Sequence, residues 1–267
     1  MFYRICFPNG CKNAFTLSYD DNQIYDRRLV EMFNKYNLKA TFHINSGTLG
    51  VSNERDTFIE ADEVATLYKG HEVACHAVTH PFLSQLPDGL IVREILDDRA
   101  NLEKLSGSLV RGMSYPYGDF SDRLINLASS VGIEYSRTVE STGYFDIPKN
   151  FMTWHPTCHH NDAMKHVDDF VNGPHYREMA LFYVWGHSFE FERQNNWDYM
   201  EEFCKAVSGH DFVWYATNIE IKDYVTAARS LITSADQSTI YNPTAIDVFI
   251  IKDGSVIEIK KGETVKL

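Results

Sequence analysis

Short apolar runs alternate with longer amphipathic stretches along most of this chain. Residues 14–19 (Ala-Phe-Thr-Leu-Ser-Tyr) predict a strand ending at Asp20. Leu29, Met32, Phe33 and Tyr36 share one face of a helix predicted over 24–36. Residues 40–44 predict a second strand, 60–68 a helix stopped at Gly70, and 71–75 a third strand leading into His76. A helix follows over 90–105, with Asp88 as its N-cap. A strand over 109–114 enters the turn Tyr115-Pro116-Tyr117-Gly118, and a helix over 121–131 starts from a Ser121 cap. Strands over 133–138, 181–185 (leading into Gly186-His187) and 212–216, with helices over 197–207 and 219–231, complete the alternation. Repeated strand–helix units imply a parallel sheet with right-handed crossovers, so the expected class is α/β and barrel-like. The tail differs: residues 248–251 and 256–259 flank Lys252-Asp253-Gly254-Ser255, which reads as a β-hairpin with an Asp-Gly turn, and a further strand follows Gly262. The expected organisation is a main domain over residues 1–235 and a β extension over 236–267 packed on it, with no repeats and no linkers.

Composition narrows the class of partner. The 267 residues are 44% hydrophobic, enough for one sizeable core. A net charge of −12 and a pI near 5.3 argue against nucleic acid or an anionic membrane surface and favour a neutral or zwitterionic small molecule or sugar. Five cysteines (Cys6, Cys11, Cys75, Cys158 and Cys204) form no Cys-x-x-Cys pair, so free thiols in a reducing compartment are expected; a Cys6–Cys11 bond is the alternative. The first residues show no basic segment followed by an apolar run, and no stretch is apolar enough to span a membrane. The expected location is therefore cytoplasmic.

The candidate chemistry sits at strand ends. Asp20-Asp21 offers two carboxylates, and His76-Ala77-Val78-Thr79-His80 offers two imidazoles four positions apart. Three protein ligands, an open position and a nearby base are what a mononuclear hydrolytic metal site needs. Each piece also has a plainer reading: Asp20-Asp21 as a solvated turn with Asn22, and the histidines as surface residues beside Pro81. His71-Glu72-Val73-Ala74-Cys75-His76 imitates a zincin helix but has one residue too many, on a segment that reads as a strand. Asp20, Asp21, His76, Tyr117 and His187 each follow a predicted strand. A barrel would therefore gather them on one rim.

The series Ser18-Tyr19-Asp20-Asp21, His76-Ala77-Val78-Thr79-His80, Tyr115-Pro116-Tyr117-Gly118 and Leu181-Phe182-Tyr183-Val184-Trp185-Gly186-His187, in this order, resembles the motifs of the polysaccharide deacetylases (NodB homology, carbohydrate esterase family 4). The resemblance implies a distorted (β/α) barrel with fewer than eight regular repeats, acting on acetylated amino-sugar oligosaccharides or polysaccharides. It implies that Asp21, His76 and His80 hold a divalent metal, most often zinc, with cobalt or nickel as alternatives. It makes Asp20 the general base and His187 the general acid. The Tyr117 backbone N–H becomes an oxyanion donor, and Trp185 and Trp154 become lining residues of the sugar pocket. Ser114 stands where the family often carries an arginine that pairs with the base, and Arg111 is the nearest displaced candidate. The family's Asp-rich motif is replaced by the segment from Trp154 to Asp162, in which Cys158 and its neighbouring histidines imitate a second metal site. The alternatives are a same-fold hydrolase of O-acetyl esters or cyclic amides, and a non-catalytic carbohydrate-binding relative.

Overall fold

The computed structural model describes residues 3–173 and 179–267. The chain opens with a short strand, β1 (Arg4–Cys6), then enters the main sheet through β2 (Asn13–Asp20), seven of whose eight positions are buried. Burial without alternation marks a parallel strand covered on both faces. The other strands of this sheet are β3 (Ala40–Ile44), β4 (Glu72–Cys75), β5 (Gly112–Ser114), β6 (Tyr135–Arg137), β7 (Cys158–His159), β8 (Ala180–His187) and β9 (Val213–Tyr215). The order is β6-β5-β4-β3-β2-β8-β7, with β9 paired to the first half of β2, and all pairs are parallel. Trp154 bridges to Arg137 at one edge while Cys158 and His159 pair with β8 at the other, so one short segment draws the two edges of a curled sheet together. This is the expected α/β architecture, a distorted barrel short of eight regular units.

Helices α1 (Asp26–Lys35), α2 (Val64–Leu67), α3 (Asp88–Ser106), α4 (Asp122–Ser130), α5 (Met164–Asn172), α6 (Ser188–Gln194), α7 (Trp197–Val207) and α8 (Asn218–Arg229) fill the connections. Their ends follow local chemistry. Ser121 caps α4 by accepting the Leu124 N–H, and Thr217 with Glu220 forms a capping box on α8. Asp88, expected as a cap, is instead the first residue of α3, because Pro87 takes the cap position, and its carboxylate pairs with Arg123. The helix expected over 60–68 is shorter: a 3₁₀ turn over Ala61–Glu63 precedes α2.

The tail forms β10 (Ile232–Thr233), β11 (Thr239–Tyr241), β12 (Val248–Lys252), β13 (Ser255–Ile259) and β14 (Thr264–Lys266). Asp253 and Gly254 both have positive φ (52° and 80°), as a two-residue hairpin turn requires. The hairpin is tied to the start of the chain, since β1 pairs antiparallel with β12 and the order is β1-β12-β13. A second small sheet, β10-β11-β14, begins at Ile232. None of the five cysteines is bonded to another. No helix among the described residues is long and apolar enough to cross a membrane.

Candidate active site

The C-terminal ends of β2, β4, β5, β6 and β8 converge on one cluster. Asp20 ends β2, and Asp21 turns into the left-handed region (φ 76°), which frees its side chain from strand alternation. Both carboxylates thereby face the same space. His76 follows β4 directly, and Ala77 and His80 also take positive φ (63° and 56°), bending the loop so that the second imidazole returns beside the first. The loop is held from behind. Asp98, buried on α3, accepts the His76 N–H at 3.0 Å, Asn45 donates to the His76 and Ala77 carbonyls, and Glu94 accepts from the Thr79 N–H and hydroxyl.

Asp21 Oδ1 lies 3.6 Å from His76 Nε2 and 3.6 Å from His80 Nε2. His76 Nδ1 sits 2.9 Å from the Ser114 carbonyl oxygen and 2.7 Å from Ser114 Oγ. That partner set fits a tautomer with its proton on Nδ1, leaving the Nε2 lone pair turned toward Asp21. Two nitrogens and a carboxylate oxygen, with the histidine's outer nitrogen fixed by a carbonyl, fit a divalent metal.

The base candidate Asp20 is 3% exposed. Burial alone would raise its pKa, but Arg137, then His76 and His43, outweigh that cost and hold the carboxyl well below the usual range. Arg137 ends β6, is fully buried, and donates through Nη2 to Asp20 Oδ2, with the Trp185 ring 4.4 Å from its guanidinium carbon. Ser114 Oγ donates to Asp20 Oδ1 at 3.1 Å. Arg111 does not reach the site. It is committed to Glu134 and Asp223, both at 2.7 Å. The strand register sets Ser114 directly beside Arg137, so a neighbouring strand supplies the cation that Ser114 cannot.

His187 ends β8, with Nε2 3.9 Å from Asp21 Oδ2 and Nδ1 donating to Glu190 Oε1 at 2.8 Å. Burial would lower its pKa, but the Glu190 hydrogen bond and the charges of Asp20 and Asp21 raise it. Glu190, on the first turn of α6, was not singled out in the sequence, although a carboxylate three positions after a histidine at a strand end is a readable signal.

Asp20, Asp21, His76, His80 and His187 are thus brought together. Tyr117 borders them at positive φ (59°), with its ring stacked on Phe82 (4.0 Å) and set edge-on to His80 (4.4 Å). Trp185 lies between Arg137, His159 and His187. Trp154 does not line the site. It is 1% exposed, packed against Tyr135, Phe151 and Tyr183, and its main chain bridges the sheet edges. The zincin look-alike is dispersed: His71 Nδ1 accepts the Ala40 N–H, and Glu72 binds Thr41, Tyr135 and the Ile219 amide at the start of β4, away from the site.

Comparison with known proteins bears on the fold and the family. The family profile described as polysaccharide deacetylase matches residues 8–136. A chitin deacetylase of Cryptococcus neoformans is 29% identical over 123 residues, 46% of this chain and 25% of that enzyme. The curated relatives are matched over between 24% and 53% of their own lengths. Among solved structures, a Mycobacterium smegmatis protein assigned to the polysaccharide deacetylases aligns at a TM-score of 0.63 and 16% identity, covering 85% of this chain and 95% of that one. A Bacillus anthracis pseudoenzyme of carbohydrate esterase family 4 aligns at 0.50 and 17%, covering 80% and 66%. At such identities the structural likeness speaks for the fold alone.

Proposed function

We propose that this chain, whose residues 8–136 match the polysaccharide deacetylase family profile, is a metal-dependent hydrolase that removes N-acetyl groups from an amino-sugar glycan of the chitin or chitooligosaccharide type. One arrangement carries the reading. Two imidazole Nε2 atoms meet one carboxylate oxygen at 3.6 Å, beside a second carboxylate kept charged by Arg137 and an imidazole whose pKa is raised by Glu190. A carboxylate whose pKa is lowered facing an imidazole whose pKa is raised is the division of labour that amide hydrolysis needs.

Asp21, His76 and His80 would hold the ion, with zinc, cobalt or nickel suiting the donor set. When bound, it supplies Lewis-acid polarisation of the acetyl carbonyl and acidifies a water. Asp20 takes the proton of the attacking water. Its pair with Arg137 fixes which oxygen is engaged, leaving Oδ1 toward Ser114. The Tyr117 turn offers a main-chain N–H to the developing oxyanion, and losing one such donor typically costs about 2.7–4 kcal/mol. His187 delivers a proton from Nε2 to the departing amine, while Glu190 holds Nδ1. Trp185 offers its ring to the sugar.

The test is acetate release from chitooligosaccharides before and after chelation and metal readdition. Release that falls with the metal and returns with it supports the reading. Asp20→Asn is expected to keep the metal and lose most turnover, by roughly the 10²–10⁴-fold that a general base contributes. Metal binding without acetate release would point to an O-acetyl ester or cyclic amide. No metal and no turnover would leave the non-catalytic carbohydrate-binding reading.

A further inference from the structure

Beside the catalytic cluster, and sharing none of its metal ligands, lies a second group of donors. His159 ends β7, His160 opens the turn after it, and Glu190 sits on α6. Glu190 Oε2 is 3.2 Å from His159 Nε2 and 3.0 Å from His160 Nε2, and the three donor atoms lie within 4.8 Å of one another. Ligands bound at 2.0–2.1 Å to a tetrahedral ion stand about 3.3 Å apart, so these spacings already approximate the edges of such a site.

The cluster is one of close charge pairs rather than of well-aligned hydrogen bonds. His160 is fully buried, and neither of its nitrogens nor Glu190 Oε2 makes a hydrogen bond among the described residues, although Nε2 and Oε2 are only 3.0 Å apart. Ligands of one ion behave this way, because each lone pair points at a shared centre rather than at its neighbour. A buried carboxylate oxygen and imidazole left unsatisfied would each cost about 1–3 kcal/mol.

The ring is also held in place. His160 stacks on Phe191 at 4.2 Å and lies parallel to Tyr19 at 5.9 Å. Gly186 clears the space beside Nδ1, where a Cβ would stand 1.9 Å away. His159 and Glu190 keep side-chain exposures of 22% and 19%, which leaves a path from solvent and an open position. One contact must give: the Asn161 N–H approaches His159 Nδ1 at 3.4 Å, and a coordinated neutral imidazole carries its proton on that nitrogen.

We propose that His159, His160 and Glu190 form a second divalent-cation site, of zinc, cobalt or nickel type, distinct from the site at Asp21, His76 and His80. The two are joined by one imidazole: His187 reaches Glu190 through Nδ1 and Asp21 through Nε2. A cation on Oε2 leaves Oε1 with His187 and fixes the carboxylate between them. The role is positioning, and it does not depend on which acyl group is hydrolysed.

The test counts ions. The full chain is stripped with a chelator, reloaded with Zn²⁺ against a competing chromogenic chelator, desalted, and assayed for metal by atomic emission, with circular dichroism as the check on folding. Wild type is expected to bind two ions, His159→Ala one, His76→Ala one, and the double variant none. Glu190→Gln serves as a second probe, also expected to hold one. A wild type that binds one ion, retained in His159→Ala and lost in His76→Ala, overturns the second site and leaves the catalytic one standing. A single ion lost in His159→Ala and kept in His76→Ala upholds this site and overturns the catalytic metal assignment.

Discussion

Asp20 and Arg137 are both essentially excluded from water, so neither charge is tolerable without the other. Removing one partner of such a pair costs about 3–5 kcal/mol, whereas removing both is far milder. Arg137→Met is therefore expected to lower the melting temperature sharply, and adding Asp20→Asn should recover much of the loss; a double-mutant thermal cycle measures this. In the single variant the cation that holds the Asp20 pKa down is gone, so the acid limb of the pH–rate profile moves to higher pH. Glu190→Gln acts on the opposite limb. It removes the hydrogen-bonded anion that raises the His187 pKa, so the alkaline limb of kcat/KM moves to lower pH. Neither partner was singled out from the sequence, Glu190 although it lies only three positions after His187, Arg137 because its signal is not local. Asp20, Asp21, His76, His80 and His187 announce themselves by type and spacing, but Arg137 reaches Asp20 only through strand register, which sets it beside Ser114. Trp154 failed in the other direction, because an aromatic near a motif says nothing of which way its ring packs.

At the level of elements, strong periodicity was legible and short or polar pieces were not. The helix expected over 197–207 and the strand over 40–44 coincide with α7 and β3. The two-residue β7 and the helices α5 and α6 went unseen. A strand that brief has no period, and α6 starts at once after β8 with no loop to punctuate it. Caps were readable where a hydroxyl preceded the helix. The Thr217–Glu220 box closes both ways on α8, whose buried Asn218 donates to the Tyr183 hydroxyl inside the barrel. Thr217→Ala is expected to cost about 1 kcal/mol, visible as a lower urea midpoint with unchanged m-value. A larger loss would mean that the cap also holds the barrel floor.

Taken whole, the molecule buries acids as well as bases, which gives its stability a pH signature. Burial raises Asp26 to about 7 despite the Tyr68 hydroxyl it accepts at 2.7 Å. Its folded pKa thus exceeds its unfolded value near 3.8. The protonated form stabilises the fold fully below that value, and the contribution is lost as pH rises through about 7. At about 1.4 kcal/mol per unit the effect is on the order of 4 kcal/mol. Asp26→Asn, which imitates the protonated acid, is expected to exceed the wild-type melting temperature by less at pH 5 than at pH 8.5. A melting-temperature difference that stays flat with pH would place the Asp26 pKa near its ordinary value. The same whole-chain view gives the β1–β12 pairing a meaning in time. Arg4 faces Ile251 across that ladder, so one strand waits for a partner made some 247 residues later. At ribosomal speeds of 5–20 residues per second the wait is roughly ten to fifty seconds. During that interval β1, which belongs to the small sheet and not to the barrel, is without its partner and leaves an unpaired edge open to other chains.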